Sequence, residues 1–250
     1  MRVLSLDTTT RAGSVALVDD ERVVDERIGD RSRTHAERLP ADLLAPLAAR
    51  GWTLPDIDLF AVAAGPGSFT GLRIGIAAIQ GLAVVQQRPA IAVSALSALG
   101  QIGSLDAHPG DLVGAWIDAH RREVFSALYR VGEARPFEPD RLIEIEGPMV
   151  GDPTATLRRW DANVSGGATP IIGDGAALYV DAIGDASAPA YRLLRDIPPL
   201  AGAIGRMAVV LARRGTTASP AGVQPLYVRR PDAEIAREAS PPQRTLRTQR

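Results

Sequence analysis

The hydrophobic pattern changes period several times along the chain. Val3-Leu4-Ser5-Leu6 is apolar and runs into the polar group Asp7-Thr8-Thr9-Thr10, which reads as a strand ending in a turn. Gly13 to Val18 reads as a second strand, Asp19-Asp20 as a hairpin turn and Arg22 to Ile28 as a third strand. From Thr34 to Arg50 the spacing becomes helical, with Leu39, Leu43, Leu44 and Leu47 separated by polar positions. Pro40 predicts a break or kink there unless it sits in the first turn. Leu59 to Ala63 is a continuous apolar run, the form of a buried strand. A Gly-rich segment follows, and 70–87 is apolar almost all round, which predicts a helix buried on most sides. A strand at 90–93 and a helix at 94–103 close this half.

Asp106, Pro109 and Gly110 cluster within 104–110 and mark a boundary. Beyond it Leu112 to Ile117 and Glu123 to Tyr129 read as strands joined by the turn Asp118-Ala119-His120-Arg121-Arg122. Leu142 to Ile145 reads as a strand, 154–160 as a short helix, and 170–175 as a strand and turn leading to a helix. Leu200 to Arg213 reads as a helix that can return to the first half. Residues 229–250 are charged and Pro-containing and read as a flexible tail. The expected division is thus an N-terminal lobe over 1–106, a C-terminal lobe over 107–228 and a tail over 229–250. Both halves open with a strand, a polar turn and a strand, so two related lobes with mixed sheets and packed helices are expected.

Composition narrows the chemistry. The chain has 250 residues, 46% of them hydrophobic and 23% charged, which is ordinary for a globular protein with a large core. Its net charge of −1 creates no general attraction to nucleic acid or membrane. There is no Lys, so all 28 basic residues are Arg; a P-loop lysine and Schiff-base chemistry are excluded. The absence of Cys removes disulfides, thiolate zinc sites and cysteine nucleophiles. His35, His108 and His120 are the only histidines and no two share a helical spacing, so no metal site is expected. The chain opens on a strand and Ile74 to Val85 is short for a bilayer span, so a cytoplasmic protein without a membrane segment is expected.

The segment Gly65-Pro66-Gly67-Ser68-Phe69-Thr70-Gly71 joins a strand to a helix N-terminus, a place where backbone N–H groups can meet an anion. It is not a dinucleotide fingerprint: the third Gly falls one residue late, and the acidic residue some twenty positions on is missing. Asp7, Thr8, Thr9 and Thr10, with Gly65, Gly67 and Asp118, make up a possible phosphate or nucleotide site. The same residues also suit ordinary turns. Gly173-Asp174-Gly175 reads better as a strand-to-helix turn than as part of such a site. On the helix at 70–87, Arg73, Ala77, Gln80 and Val84 form a semi-polar stripe beside the amphipathic helix at 34–50. Two readings stay open: this helix pair covers only its own sheet, or it forms a bundle with the equivalent pair of another subunit.

The string Gly65 to Gly75 closely resembles the hallmark of the bacterial TsaB family, also called YeaZ. Leu6-Asp7-Thr8-Thr9, Gly13 to Leu17, His35 to Leu39, Val93 to Leu96, Ile117 to Val124 and Pro225 to Arg229 agree in order and spacing. The resemblance implies an actin-like, sugar-kinase/Hsp70-type α/β fold of two lobes. It implies a non-catalytic role in making N6-threonylcarbamoyladenosine beside the anticodon of tRNA. The implied partners are a catalytic homologue, TsaD, and an ATP-hydrolysing subunit, TsaE, with a homodimer when the chain is alone and tRNA reached through the complex. Pairing would use the two helices of the first lobe, with His35, Leu39, Leu43, Leu47, Arg73, Ala77, Gln80 and Val84 as interface positions. No cofactor is expected beyond vestigial ATP or ADP binding, and no catalytic residue. The alternative is an ATP-dependent kinase or ATPase of the actin-like superfamily acting through Asp7, Thr8 to Thr10 and Asp118.

Overall fold

The computed structural model describes residues 1–164, 168–184, 190–217 and 219–229, so the expected tail lies outside the described residues apart from Arg229. The chain begins with an antiparallel meander, β1 (Arg2–Asp7), β2 (Ser14–Asp19) and β3 (Arg22–Ile28). Then α1 (His35–Arg50), β4 (Leu59–Gly65), α2 (Phe69–Gln86), β5 (Ala90–Ser94) and α3 (Ala95–Gly103) alternate. β4 pairs parallel with β1, and β5 with β4, giving a sheet in the order β3-β2-β1-β4-β5.

The second half repeats the scheme. β6 (Leu112–Asp118), β7 (Val124–Val131) and β8 (Leu142–Gly151) form a meander, followed by α4 (Pro153–Trp160) and β9 (Thr169–Ile172). Two short helices, α5 (Asp174–Leu178) and α6 (Val180–Gly184), lead to β10 (Tyr191–Leu193) and α7 (Ala201–Arg213). The sheet order β10-β9-β6-β7-β8 is the first sheet's order read from the other edge. The second half thus repeats the βββαβαβα order of the first, with the pair α5 and α6 in the place of α2, which gives two related lobes, each a mixed sheet with packed helices.

Three cores hold the layers together. Leu4, Leu6, Phe60 and Val62 on one face of the first sheet pack with Leu39, Leu43, Ile76 and Ile79 of α1 and α2. Between the sheets, Val3, Ala61 and Ile91 meet Ala115, Ile117 and Ile172 through Leu96 and Leu99 of α3 and Ile204 and Met207 of α7. On the far face of the second sheet, Trp116 and Leu128 pack with Leu157 and Trp160 of α4 and with Tyr191. α7 follows the last strand of the second sheet yet is anchored on the first. Ser5 Oγ donates to the Ala201 carbonyl at 2.6 Å, and Ser14 Oγ accepts from the Ala201 N–H at 3.0 Å. Glu26 caps the helix by accepting from the Gly202 N–H at 2.6 Å.

Three sequence expectations are corrected. Pro40 lies in the second turn of α1, and Pro46 further on, yet the helix is continuous through both. A proline in a helix interior costs about 3 kcal/mol; burial of Leu39, Leu43 and Leu47, each of which removes a side chain of order 2 kcal/mol from water, offsets it. The strand expected at Leu142 to Ile145 continues to Gly151, carried past Gly147 and Pro148 by shifts of register against β7. α2 is not buried on most sides, as its composition predicts, but on one face: Leu72, Ile76, Ile79 and Ala83 lie on the first sheet, whereas Arg73, Ala77, Gly81, Val84 and Val85 are exposed.

Candidate functional site

Two places collect the residues singled out by the sequence: the mouth of the interlobe cleft and the outer face of α1 and α2. Asp7 ends β1, Asp118 ends β6 and Asp174 follows β9, so each carboxylate stands at a strand's carboxyl end, where a two-lobed sheet protein opens its cleft. Asp7 is buried, and its Oδ1 accepts from the N–H of Thr9 at 2.8 Å and from Thr9 Oγ1 at 2.6 Å. Burial pushes the Asp7 carboxyl up to about 6, against these hydrogen bonds, and the nearby charge of Asp174 pushes the same way. Asp174 is raised as well, first by burial. Its Oδ1 accepts from the Asp118 N–H at 3.1 Å, so it ties two strand ends together. The sequence favours a turn over a site role for Gly173-Asp174-Gly175; nothing local separates a carboxylate in such a turn from one that also faces the other lobe.

The threonines are turned inward. Thr8 Oγ1 donates to the Gly71 carbonyl at 2.8 Å, Thr9 Oγ1 is held by Asp7, and Thr10 Oγ1 accepts from the Gly13 N–H at 3.2 Å. The Gly-rich string closes onto this turn. Ser68 N–H donates to the Thr9 carbonyl at 2.9 Å, and a Cβ on Gly67 would stand 2.5 Å from Thr9 Cβ. Gly65 has φ of +112°, and a Cβ there would meet the Leu226 carbonyl oxygen at 2.9 Å. The expected phosphate cradle is therefore corrected in part. Gly65 and Gly67 are glycines because protein backbone approaches them, and the hydroxyls of Thr8 and Thr9 are spent on the Gly71 carbonyl and the Asp7 carboxylate.

His35 belongs to this turn rather than to an exposed face. Its Nε2 lies 3.0 Å from the Thr10 carbonyl and its Nδ1 lies 2.9 Å from Nη2 of the buried Arg38. Because a carbonyl only accepts and a guanidinium only donates, the ring carries its proton on Nε2 and is neutral. Burial holds the His35 ring below its ordinary value. Arg38 also pairs with Asp42 and donates to the Ala12 carbonyl.

In the corresponding turn of the second lobe, Asp118 Oδ1 accepts from the His120 N–H at 2.9 Å and lies 3.5 Å from Tyr179 Oη. His120, Arg121 and Arg122 are three consecutive non-glycine residues with φ of 58°, 56° and 64°. Each such left-handed residue costs about 1 kcal/mol, so this turn is held by its surroundings.

The outer helices divide the expected interface residues. Leu39, Leu43 and Leu47 are 5%, 6% and 2% exposed and lie in the chain's own core; as contact positions for another subunit they are corrected. The helical period shows that one face of α1 is apolar but not what covers it, and the first sheet does. Gln80 is occupied too, its amide donating to the carbonyls of Pro220 at 2.9 Å and Val223 at 3.1 Å. Arg73, Ala77 and Val84 do face outward. Beside them sequence reasoning missed Leu44, 51% exposed, and Val85, 76% exposed. Ala41, Ala45, Ala48 and Gly81 are exposed between these, so the face is apolar and low in relief. Arg73 stands at one end of it, its guanidinium 3.9 Å over the Phe69 ring and its Nε donating to Tyr227 Oη at 3.0 Å.

Comparison with known proteins agrees with the sequence resemblance. The family described as "TsaD: tRNA N6-adenosine threonylcarbamoyltransferase" matches residues 29–158. An uncharacterized protein of Mycobacterium tuberculosis is 33% identical over 237 residues, 93% of each chain. The tRNA threonylcarbamoyladenosine biosynthesis protein TsaB of Escherichia coli is 41% identical over 133 residues, 53% of this chain and 57% of that protein. The solved structure of YeaZ from Pseudomonas aeruginosa superposes with a TM-score of 0.72 at 30% identity, covering 90% of this chain and 99% of that one. With the Gly65–Gly75 string, the duplicated topology and a solved relative matched over nearly its full length, the chain belongs to the TsaB (YeaZ) family.

Proposed function

We propose that this protein is a non-catalytic subunit of the machinery that installs N6-threonylcarbamoyladenosine in tRNA, and that it pairs through the outer face of α1 and α2 with a TsaD-type catalytic subunit. The observation that carries this reading is that face. Leu44, Val84 and Val85 are left exposed on two adjacent long helices, among small residues that let another helix pair approach closely. The hydroxyls of Thr8 and Thr9 at the cleft mouth are turned into the protein, which suits a scaffold better than phosphoryl transfer and disfavours the kinase or ATPase alternative. In this reading the α1–α2 face also supports a homodimer when the chain is alone. TsaE joins the assembled pair, tRNA is met mainly through the complex, and the site of action is the cytoplasm.

The test is reconstitution. Modified adenosine is measured in a mixture of TsaD and TsaE from the same organism, ATP, the threonylcarbamoyl-adenylate donor and unmodified tRNA, with and without this chain. The reading expects activity that depends on the chain, and none from the chain alone. Equal activity without it overturns the scaffold role.

A further inference from the structure

The segment Pro225-Leu226-Tyr227-Val228-Arg229 takes no part in the function proposed above, yet each of its last four residues is engaged. It is preceded by a single-turn helix, Pro220–Gly222, and by Val223, which is buried in the outer core of the first lobe. Leu226 N–H donates to the Ala64 carbonyl in β4 at 2.7 Å. The Tyr227 ring lies 5.2 Å from that of Phe69, and its hydroxyl accepts from Arg73. Two residues later the chain has reached the other lobe. Val228 packs against the core between the sheets, and the Arg229 guanidinium donates to the Ala119 carbonyl at 2.7 Å and pairs with Glu123. Ala119 and Glu123 flank the three left-handed residues of the β6–β7 turn, so Arg229 grips the strained turn at both shoulders.

A second tie stands at the opposite end of both sheets. At the end of α7, Arg213 pairs with Asp20 at 2.7 Å and Glu21 at 2.8 Å in the β2–β3 turn. Its neighbour Arg214 pairs with Asp140 at 2.8 Å and Glu138 at 3.2 Å beside β8. Two lobes joined at one end can hinge about it; lobes joined at both ends cannot. Exposed ion pairs of this kind are individually weak. The cleft-end tie is of another sort, combining a backbone hydrogen bond, a ring contact, a buried valine and a charge-assisted pair in seven residues.

We infer that residues 223–229 form an interlobe strap that locks the end of β4 and the start of α2 to the β6–β7 turn, so that the loops on either side of the cleft mouth move as one body. The strap also connects Arg73, on the exposed stripe of α2, to the second lobe.

The test is hydrogen exchange on the full chain, with Arg229→Ala releasing one anchor and Tyr227→Ala the other. Both side chains are partly exposed, so neither substitution opens a core. If the strap couples the lobes, each variant speeds exchange about tenfold at both anchors, residues 64–68 and 119–124, as loss of a charge-assisted or aromatic contact should. If each variant speeds exchange only at its own anchor, the strap is overturned. An independent variant inserts Gly-Gly between Tyr227 and Val228, keeping every contact but freeing the anchors from each other. The chain has no cysteine, so spin labels go cleanly onto Arg11→Cys in the first lobe and Asp181→Cys in the second. The insertion should broaden the distance distribution between them, and an unchanged distribution overturns the inference.

Discussion

The two lobes repeat one order of strands and helices, but they finish their outer layers differently. The first lobe uses long helices, α1 of 16 residues and α2 of 18. The second uses α4 of 8 residues and α5 and α6 of 5 each. Short helices suffice there because the side chains beneath them are large. Trp116 and Trp160 are fully buried with ring centroids 5.9 Å apart, and Tyr191 stands 6.4 Å from Trp160. The first lobe fills its outer core mainly with aliphatic residues around Phe60, and its long helices have an outward face to spare. Leu44, Val84 and Val85 share that face, whereas Leu178 is the one strongly exposed large apolar residue on the short helices. A duplicated scaffold thus leaves its spare apolar surface on the lobe whose helices are long.

The largest effects come from breaking the two outer cores. Leu43→Asp places a carboxylate among Leu39, Leu47 and the first sheet and should cost about 4 kcal/mol or more, enough to unfold a marginal domain. Trp160→Ala should cost about 3–5 kcal/mol, because it empties the centre of the second lobe's outer core. Thermal melts followed by circular dichroism measure both. A Leu43→Asp protein that melts with the parent would mean that α1 is not packed on its sheet.

Asp7 distinguishes the two cleft turns next. Its folded-state carboxyl sits near 6 because of burial, above the ordinary value of 3.8. A raised carboxyl binds its proton more tightly in the folded state, so its contribution is fully present below the unfolded value and is lost as pH rises through about 6. Asp7→Asn keeps an oxygen for Thr9 and removes the titration. The variant should gain about 1–3 kcal/mol over the parent at pH 8, with the gap closing toward pH 4. Denaturant titrations at the two pH values measure this; a gap that stays constant with pH refutes the buried, high-lying carboxyl.

Much of this architecture is legible in the sequence because strands and helices differ in period. β1 to β7, α1 to α4 and α7 fall within a few residues of where apolar spacing puts them. β10, of three residues, leaves too short a pattern to read. The site is less legible for a different reason. Leu39, Leu43 and Leu47 announce an apolar helix face, but whether a sheet of the same chain or another subunit covers it is a tertiary fact. Leu44 and Val85, the residues left over, gain their meaning only once the first face is assigned. Asp174 and Tyr227 act on partners far away in sequence, Asp118 and Arg73, and no local spacing encodes that.

Val84→Glu sharpens the contrast between core and face on one helix. Val84 is 61% exposed and should change stability by no more than about 0.5 kcal/mol. A charge in the middle of an apolar contact should weaken pairing with the TsaD-type subunit by about tenfold or more. Melting and co-purification on the same preparation separate the two effects. Undiminished pairing would move the contact off this face, and an unfolded protein would mean that Val84 is core.

The smallest effect is expected at His35, which holds the first cleft turn through Thr10 and Arg38. Burial lowers its folded-state value, so the neutral ring is the form the fold accepts. A lowered histidine contributes stability above the unfolded value, about 6.5, and that contribution is lost as pH falls through the folded one. This slope runs opposite to that of Asp7, so the two groups can be separated in one pH series. His35→Gln preserves the arrangement, with an amide N–H toward the Thr10 carbonyl and an amide oxygen toward Arg38, but cannot take up a proton. Above pH 7 parent and variant should melt in parallel. Below about 6.5 the parent should fall away from the variant, because a protonated ring loses the acceptor that Arg38 uses and sets two cations side by side. Parallel curves through the acid range would show that the ring reaches solvent and that the turn rests on Thr10 and Gly13 alone.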